Sequence, residues 1–293
     1  MEKSKKKISI FEIVIGIVLL LYCAILIVLF AWALNTSLKT FDNFAKDHIW
    51  LTNTFAFKNY ITAFTEIQYQ VTVPGEGVFY KYYETMLLYS VLYAGGCALF
   101  QVFCTAVMAY CTAKYKNAVS TILHYVVIVT LILPIVGNTP SMIEVTKALN
   151  LHNKIWGVWI MKLGFNNMYY LIFYAAFKAL SWEYAESAFI DGASHFTVFF
   201  KIMLPLMMTL VGTVYLLYFI SYWNDYQVPM FYIPDYRTAA YGLFVVYTST
   251  DGESSYPPVK IAGGVFIFVP IFIVFIIFRN KIMGNLTEGG IKG

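Results

Sequence analysis

Six apolar runs, each long enough to cross a membrane as a helix, are the feature that most constrains this chain. They cover about residues 13–34, 85–113, 120–145, 155–179, 205–226 and 261–278. A bilayer core is about 30 Å thick, and an α-helix of about 20 apolar residues spans it. Because 60% of the 293 residues are hydrophobic and only 12% are charged, a water-soluble domain does not fit. We therefore predict an all-α membrane protein with six transmembrane helices, forming a single domain over residues 1–293.

The distribution of basic residues predicts the orientation of these helices. Six crossings place both chain termini on the same side of the membrane. With that side inside, lysine and arginine are about twice as dense in the inner segments as in the outer ones, as the positive-inside rule requires. Four of these basic residues, Lys3, Lys5, Lys6 and Lys7, precede the first run. We therefore predict cytoplasmic N- and C-termini in a multi-pass protein of the cell membrane.

The sequence lacks the motifs of a self-contained enzyme. Its four histidines lie in different segments, and neither H-E-x-x-H nor G-x-S-x-G occurs. Cys97, Cys104 and Cys111 are seven residues apart, too far on one helix for a disulfide or a shared metal. No G-x-x-x-x-G-K-[ST] loop is present. We expect no metal site, no cofactor bound by this chain and no catalytic residues; if ATP drives the protein, another subunit binds it.

Residues 181–205, between the fourth and fifth runs, predict a short helix, a sharp turn and a second helix. Ser181 can cap the first helix, and Glu183 lies in its positive first turn. Gly192 can adopt the left-handed conformation that ends it. Ser194 can cap the second helix, which we expect to end before Pro205.

Helical spacing gives this hairpin two apolar stripes. The second helix carries Phe196, Phe199, Phe200 and Met203 at positions i, i+3, i+4 and i+7, and the first helix carries Ala185, Ala188 and Phe189. Part of this surface must pack under the membrane bundle. The part near the turn suits a groove in another protein, or the surface of the lipid. Amphipathicity alone leaves both alternatives open.

The residues of the hairpin resemble the cytoplasmic "EAA" loop of binding-protein-dependent ABC importer permeases. That pattern has Glu-Ala-Ala, then Asp-Gly-Ala, then Ile-x-Leu-Pro. Here Glu186-Ser187-Ala188, Asp191-Gly192-Ala193 and Ile202-Met203-Leu204-Pro205 occupy these positions, with Ser187 as one departure. The chain is most similar to the MalG-like subunits of carbohydrate importers. The segments that carry this similarity are Phe57-Lys58-Asn59-Tyr60, Tyr222-Trp223-Asn224-Asp225-Tyr226 and the tail from Gly284 to Gly293.

The resemblance implies a bacterial permease of the type I ABC importer fold that moves a carbohydrate, in particular an oligosaccharide. It implies four kinds of partner besides the lipid bilayer: a second non-identical permease, two ATPase subunits with ATP and magnesium, and an extracytoplasmic sugar-binding protein. No nucleic acid is expected, because the net charge of +4 is small and scattered. A permease for a non-sugar solute shares the loop and is the alternative; a membrane enzyme or receptor is a more distant one.

The same resemblance suggests roles for particular residues. The cytoplasmic coupling loop 181–204 would seat in the ATPase through Glu183, Glu186, Ala188, Asp191, Gly192, Ala193, Phe196, Phe199, Ile202, Leu204 and Pro205. The Gly-rich tail would contact the ATPase pair through Thr287, Glu288, Gly289 and Lys292, and is not expected to form a stable helix alone. Neutral polar and aromatic groups suit a sugar path, and the candidates are Gln101, Asn138, Tyr222, Trp223, Asn224 and Asp225.

Overall fold

A computed structural model describes residues 9–73, 75, 77–133, 137–164, 167–248 and 255–288, with side chains through Arg279. These residues are predominantly helical, and β1 and β2 are the only strands among them. In chain order the elements are α1 (Ile10–Ser37), α2 (Phe41–Lys46), α3 (Lys58–Glu66), β1 (Tyr69–Val73), β2 (Gly77–Lys81), α4 (Tyr83–Lys114), α5 (Ala118–Ile132), α6 (Thr139–Ala148), α7 (Ile155–Met161), α8 (Tyr169–Ala179), α9 (Glu183–Ile190), α10 (His195–Val198), a π-helical turn (Phe199–Met203), α11 (Leu204–Leu206), α12 (Met208–Trp223), α13 (Gln227–Tyr232), α14 (Ala239–Thr248) and α15 (Pro257–Glu288).

Three described helices are long and apolar enough to cross a membrane unaided. They are α1, α4 and the part of α15 from Pro257 to Arg279. A fourth crossing is possible where the bent pair His195–Leu206 and Met208–Trp223 counts as one span, although its halves meet at 76°. These helices contain or overlap the first, second, fifth and sixth predicted runs. The six-span arrangement and the orientation of the termini stay predictions.

The third and fourth predicted spans are not single helices. In the third, α5 ends at Ile132 and α6 begins at Thr139, and Gly137 between them has a positive φ of 78° that a regular helix does not accept. Pro134, where the sequence suggests a kink, lies outside the described residues. In the fourth, α7 ends at Met161 and α8 begins at Tyr169. Apolar composition could not predict these breaks.

The described residues divide into two compact units. The first comprises residues up to Ile67 and residues from Val245 to Phe266. Here the Asn59 side-chain amide donates to the backbone oxygens of Ser37 (2.8 Å) and Lys39 (2.7 Å). The hydroxyl of Tyr60 is 2.6 Å from Ser37 Oγ. The Asn-Tyr pair that the sequence singled out therefore fastens the chain just after α1.

The second unit comprises residues 68–244 and 267 onward, and α4 is its centre. Side chains along the length of α4 are buried, and the helix packs against α12, α8, α7 and α5. β1 and β2 form an antiparallel pair with Tyr69 opposite Lys81. The Tyr69 hydroxyl donates to the backbone oxygen of Asp235 (3.0 Å), and burial raises the pKa of that phenol. The sequence analysis did not predict this pair of strands.

A glycine lets α7 cross α4 at close range. A Cβ atom placed on Gly96 would lie 2.1 Å from the indole of Trp159. The same indole nitrogen donates to the backbone oxygen of Leu92 (3.1 Å), which holds the ring against the helix backbone. At the adjacent Gly95, a Cβ would lie 3.6 Å from the hydroxyl of Tyr215, an ordinary contact. Of the two glycines, only Gly96 is required by packing at this crossing.

We therefore expect Gly96→Ala to destabilise the protein, because the new methyl group and the indole cannot occupy the same space. Overpacking of this kind costs about 1–3 kcal/mol. Gly95→Ala is the matched control, and it should leave stability unchanged or raise it slightly because alanine favours helix. Thermal unfolding of the purified protein in detergent measures both. Equal melting temperatures for the two variants would contradict the packing account.

Candidate functional site

The 181–206 hairpin begins as the sequence predicts, with one shift in the cap. The hydroxyl of Ser181 accepts a hydrogen bond from the Glu183 backbone N–H (3.2 Å), but Trp182 is the residue that precedes α9. Glu183 and Glu186 both lie in the first turn of α9 and are exposed. Carboxylates are favoured there by the positive end of the helix dipole.

The turn of the hairpin is a helix C-terminal motif closed by glycine. Gly192 has a φ of 81°, and its N–H donates to Phe189 O (3.0 Å). The next N–H, that of Ala193, donates to Ala188 O (2.9 Å), which completes a Schellman motif. The hydroxyl of Ser194 then caps α10 by accepting from Thr197 N (3.3 Å). The predicted left-handed glycine and second cap are both confirmed.

The second arm of the hairpin differs from the prediction. It does not end before Pro205 but continues through the π-helical turn into α11, and the chain bends at Met207 before α12. Proline is tolerated at the start of α11 because a first-turn residue needs no intrahelical N–H partner. In a regular α-helix, the ring of Pro205 would clash with the carbonyl group four residues earlier. The wider π-helical turn lies at that point of the chain.

The wider turn also changes which side chains share a face. Phe199 and Met203 are buried, with 6% and 0% of their surface exposed, whereas Phe196 is 78% and Phe200 47% exposed. The predicted single stripe of four residues is therefore wrong, because the π-helical turn alters the angle between successive side chains. The smaller stripe on α9 does pack inward, since Ala185 and Ala188 are buried and Phe189 is partly buried.

The inner face of the hairpin belongs to the main hydrophobic core of the second unit. Ala185, Val198, Phe199 and Met203 share one cluster of buried residues with side chains of α4, α8 and α12. The rings of Phe199 and Tyr110 of α4 are 4.9 Å apart. Because such interiors are close-packed and resist deformation, the hairpin and these helices form one stiff body.

The C-terminal end of α4 holds the hairpin through polar contacts as well. The hydroxyl of Tyr115 is 2.8 Å from His195 Nδ1 at the start of α10. Lys114 Nζ donates to the backbone oxygen of Leu180, just before the hairpin, and lies 5.9 Å from the ring centroid of Trp182. Both arms of the hairpin are therefore fastened to α4.

The outer face of the hairpin, near the turn, is apolar and acidic. Ile190 is 87% exposed and Tyr184 54% exposed, and both lie close in sequence to Glu186 and Asp191. We call Tyr184, Ile190 and Phe196 the tip patch. Of the predicted coupling residues, the exposed ones are Glu183, Glu186, Asp191, Gly192, Phe196 and Pro205, the partly buried ones are Ala193, Ile202 and Leu204, and the buried ones are Ala188 and Phe199.

The predicted tail contacts are only partly within the described residues. Helix α15 continues through Thr287 to Glu288, beyond the predicted end of the sixth span at Phe278, because extending an existing helix requires no new nucleus. The side chains of Thr287 and Glu288 are not described, and Gly289 and Lys292 lie outside the described residues.

A second, polar site lies where the fourth span is broken. Three side-chain hydrogen bonds join α4 to the segment between α7 and α8. Gln101 Nε2 donates to Gly164 O (2.7 Å), and Cys104 Sγ donates to Leu163 O (3.3 Å). Asn167 Nδ2 donates to Thr105 Oγ1 (2.8 Å).

Three of the six sequence-predicted path residues belong to this site. The Tyr222 hydroxyl donates to Gln101 Oε1 (3.2 Å). Asp225 Oδ2 accepts from the hydroxyl of Tyr93 (2.7 Å), and the rings of Tyr93 and Tyr222 are 6.0 Å apart. Lys162 Nζ lies 4.9 Å from the Tyr222 ring centroid. Gln101, Tyr222 and Asp225 are thus joined through Tyr93 and Lys162, which we group with them as the polar cluster.

The other three candidates lie apart from the polar cluster. Trp223 is buried and donates from its indole to Ile267 O (3.0 Å), so it packs against α15. Asn224 is exposed and donates to Ile220 O within its own helix (2.8 Å). Asn138 is exposed at the start of α6. These contacts give Trp223 and Asn224 structural roles.

Sequence reasoning missed Tyr93 and Lys162. Lys162 could have been found, because Lys162 and Lys178 are the only basic residues in the six predicted spans, and Lys178 is close to an inner end. Tyr93 carried no comparable signal among 24 tyrosines. Among the described residues, no group of histidine, cysteine or carboxylate side chains is arranged to hold a metal ion.

Comparison with known proteins places these features in context. Residues 101–286 match the family described as "Binding-protein-dependent transport system inner membrane component". The diacetylchitobiose uptake system permease protein NgcG of Streptomyces coelicolor is 24% identical over 92% of this chain and 86% of its own. The arabinooligosaccharides transport system permease protein AraQ of Bacillus subtilis is 23% identical over 75% of this chain and 76% of its own.

A solved structure has the same fold. It is the crystal structure of a bacterial ABC transporter involved in the import of the acidic polysaccharide alginate. One of its chains superposes with a TM-score of 0.73 at 17% sequence identity. The match covers 96% of this chain and 98% of that one, so it extends over the hairpin and the polar cluster alike.

The contact between Tyr115 and His195 generates a prediction about the hairpin. Tyr115→Phe removes the hydroxyl but keeps the ring, and a hydrogen bond of this kind contributes about 1 kcal/mol. We expect backbone amides of residues 189–196 to exchange with deuterium about two- to tenfold faster in this variant. Tyr125→Phe, which alters an exposed tyrosine on α5, is the control. Unchanged exchange in Tyr115→Phe would show that this contact does not fasten the hairpin.

Proposed function

Because this chain belongs to the binding-protein-dependent transport system inner membrane components, we propose that it moves an oligosaccharide across a bacterial inner membrane. The coarser assignment follows from the family: the protein is a permease subunit of an ABC importer of the carbohydrate group, and not an enzyme. Support for an oligosaccharide comes from relatives named for diacetylchitobiose and arabinooligosaccharides.

The family works with ATPase and binding-protein partners. We propose in addition a second, non-identical permease beside this chain, and two ATPase subunits. ATP and magnesium would be bound by those ATPases, since this sequence has no phosphate-binding loop of its own. The outer segment 227–260 is our candidate for contact with the binding protein; its predicted tip at residues 251–252 lies outside the described residues.

The observation that carries the coupling proposal is the two-sidedness of the hairpin. Its inner face is part of the core, whereas the tip patch exposes an isoleucine and two aromatic side chains. Exposed apolar and aromatic side chains beside a turn suit a groove in a partner protein. We propose that the tip patch seats in a cleft of the ATPase subunit.

Charge would orient this docking. Glu183 and Glu186 are exposed in the first turn of α9, beside the tip patch. In our proposal, Glu186 forms an ion pair or a charged hydrogen bond with a basic residue of the ATPase. Such pairs at the edge of an interface contribute more to orientation and rate of association than to affinity.

Movement of the ATPases would then reach the membrane helices through packing. The hairpin is fastened to α4 by Tyr115 and Lys114 and continues into α12 through the bend at Met207. When the ATPase pair closes on ATP, the hairpin would move as a rigid body and carry the adjoining ends of both helices. Both α4 and α12 contribute side chains to the polar cluster, which we propose as part of the sugar path.

Substitution of Gly192, the glycine at the turn of the hairpin, provides one test of the coupling proposal. Gly192→Val places a β-branched residue at a φ of 81°, a strained conformation, although the structure has open space where its Cβ would lie. We expect uptake and substrate-stimulated ATP hydrolysis by the reconstituted importer to be lost, with insertion in the membrane unchanged. Gly192→Asn is the matched control and should retain most activity, because asparagine tolerates left-handed backbone. Full uptake by Gly192→Val would disprove the coupling role.

Substitution of Ile190 in the tip patch provides a second test of the coupling proposal. Ile190→Ser removes apolar surface that is 87% exposed in this chain, so it should not disturb folding. If Ile190 is buried by the ATPase, the variant should bind the purified ATPase about tenfold to a hundredfold more weakly. Ile190→Leu keeps the apolar surface and is the control. Equal affinities of the Ser and Leu variants would remove Ile190 from the interface.

A further inference from the structure

Lys162 occupies an unusual position for a charged residue. It follows the last residue of α7, where the predicted fourth span breaks. Because α7 begins at Ile155, Lys162 lies about 10 Å along the helix axis from the outer end of that span. Its side chain is half-buried. The run that contains Lys162 is a predicted membrane span, and ionisable residues inside membrane spans are costly and typically functional.

The ammonium group of Lys162 has no counter-ion in the part of the chain that the structure describes. Its recorded contact there is with the ring of Tyr222, 4.9 Å from the centroid. Other lysines are engaged differently. Lys154 also lies near an aromatic ring, that of Trp156, but donates to both Asn150 oxygens. Among the described residues, none therefore occupies the ammonium donors of Lys162, which leaves them for a further group.

The nearby acid is already engaged. Asp225 Oδ2 accepts from the Tyr93 hydroxyl, and Asp225 Oδ1 accepts from the backbone N–H groups of Gln227 (3.0 Å) and Val228 (3.2 Å). Three donors hold this carboxylate at the start of α13. Asp225 consequently orients the segment after α12, and Lys162 is the charge in the cluster that is available to a ligand.

The surroundings of Lys162 suit a sugar. The Tyr222 hydroxyl donates to Gln101 Oε1 and keeps an acceptor lone pair, and the Gln101 amide donates one of its two N–H groups to Gly164 O, so each retains hydrogen-bonding capacity for a sugar hydroxyl. An ammonium group added to such a site is complementary to an oxyanion.

We propose that Lys162 binds an anionic group of the transported saccharide, namely a carboxylate, phosphate or sulfonate. This inference rests on the proposed carbohydrate import and specifies its substrate class. The ammonium group contacts the oxyanion, and sugar hydroxyls take up the remaining hydrogen-bonding capacity of Tyr222 and Gln101. The polar cluster thereby favours acidic over neutral saccharides.

A pair of matched probes tests this proposal. The two sugars are methyl α-galacturonoside, which carries a carboxylate, and methyl α-galactoside, which carries a hydroxymethyl group at the same position. They are otherwise identical. Binding to the complete permease and ATPase complex in nanodiscs, without the binding protein, is measured by saturation-transfer NMR. We expect about tenfold tighter binding of the acid, reduced at high salt. Lys162→Gln should abolish the preference, Lys162→Arg should keep it, and Lys154→Gln, the control, should not change it.

Two results would overturn the inference and leave carbohydrate import standing. One is equal binding of both glycosides to the wild-type complex, a measurement that requires no variant to fold. The other is a preference for the acid that persists in Lys162→Gln. Uptake of a non-sugar solute by the complete importer, with no binding of either glycoside, would instead refute the proposed function itself.

Discussion

The packing of the hairpin's inner face into the core around α4 is the interaction on which the rest of the structure depends. Phe199 and Met203 are buried among side chains of α4, α8 and α12, and the Tyr115 hydroxyl meets His195 at the edge of this core. A cytoplasmic hairpin attached only through the chain would swing freely and transmit nothing. One that is part of a close-packed core must move with it.

The same central helix connects the hairpin to the polar cluster. α4 contributes Gln101 and Tyr93 to the cluster, and its C-terminal end holds the hairpin through Lys114 and Tyr115. α12 begins at the bend after the hairpin and ends beside Tyr222. A displacement of the hairpin can therefore reach the proposed sugar path in two ways. One is along α4, and the other is along α12.

The sequence predicted the features that follow from local chemistry and missed those that arise from packing. Apolar length predicted the long apolar helices α1, α4 and α15, and Gly192 and Ser194 identified the turn and the second cap of the hairpin. The π-helical turn before Pro205 was not predicted, because its effect on the phenylalanine stripe depends on three-dimensional register. The fourth span was predicted as continuous because α7 and α8 are apolar, although the segment between them contains Lys162, Gly164, Asn166 and Asn167. The Tyr93 contact with Asp225 was not predicted, because it joins residues far apart in the chain.

The most direct test of this account is a pair of structures of the assembled importer, one without nucleotide and one with ATP bound. The account predicts that Ile190 and Phe196 are buried against the ATPase in both states. It also predicts that the hairpin superposes together with the C-terminal end of α4, with Tyr115 and His195 still in hydrogen-bond contact. A hairpin that lies free of the ATPase, or that shifts relative to α4 and breaks this contact on ATP binding, would contradict it.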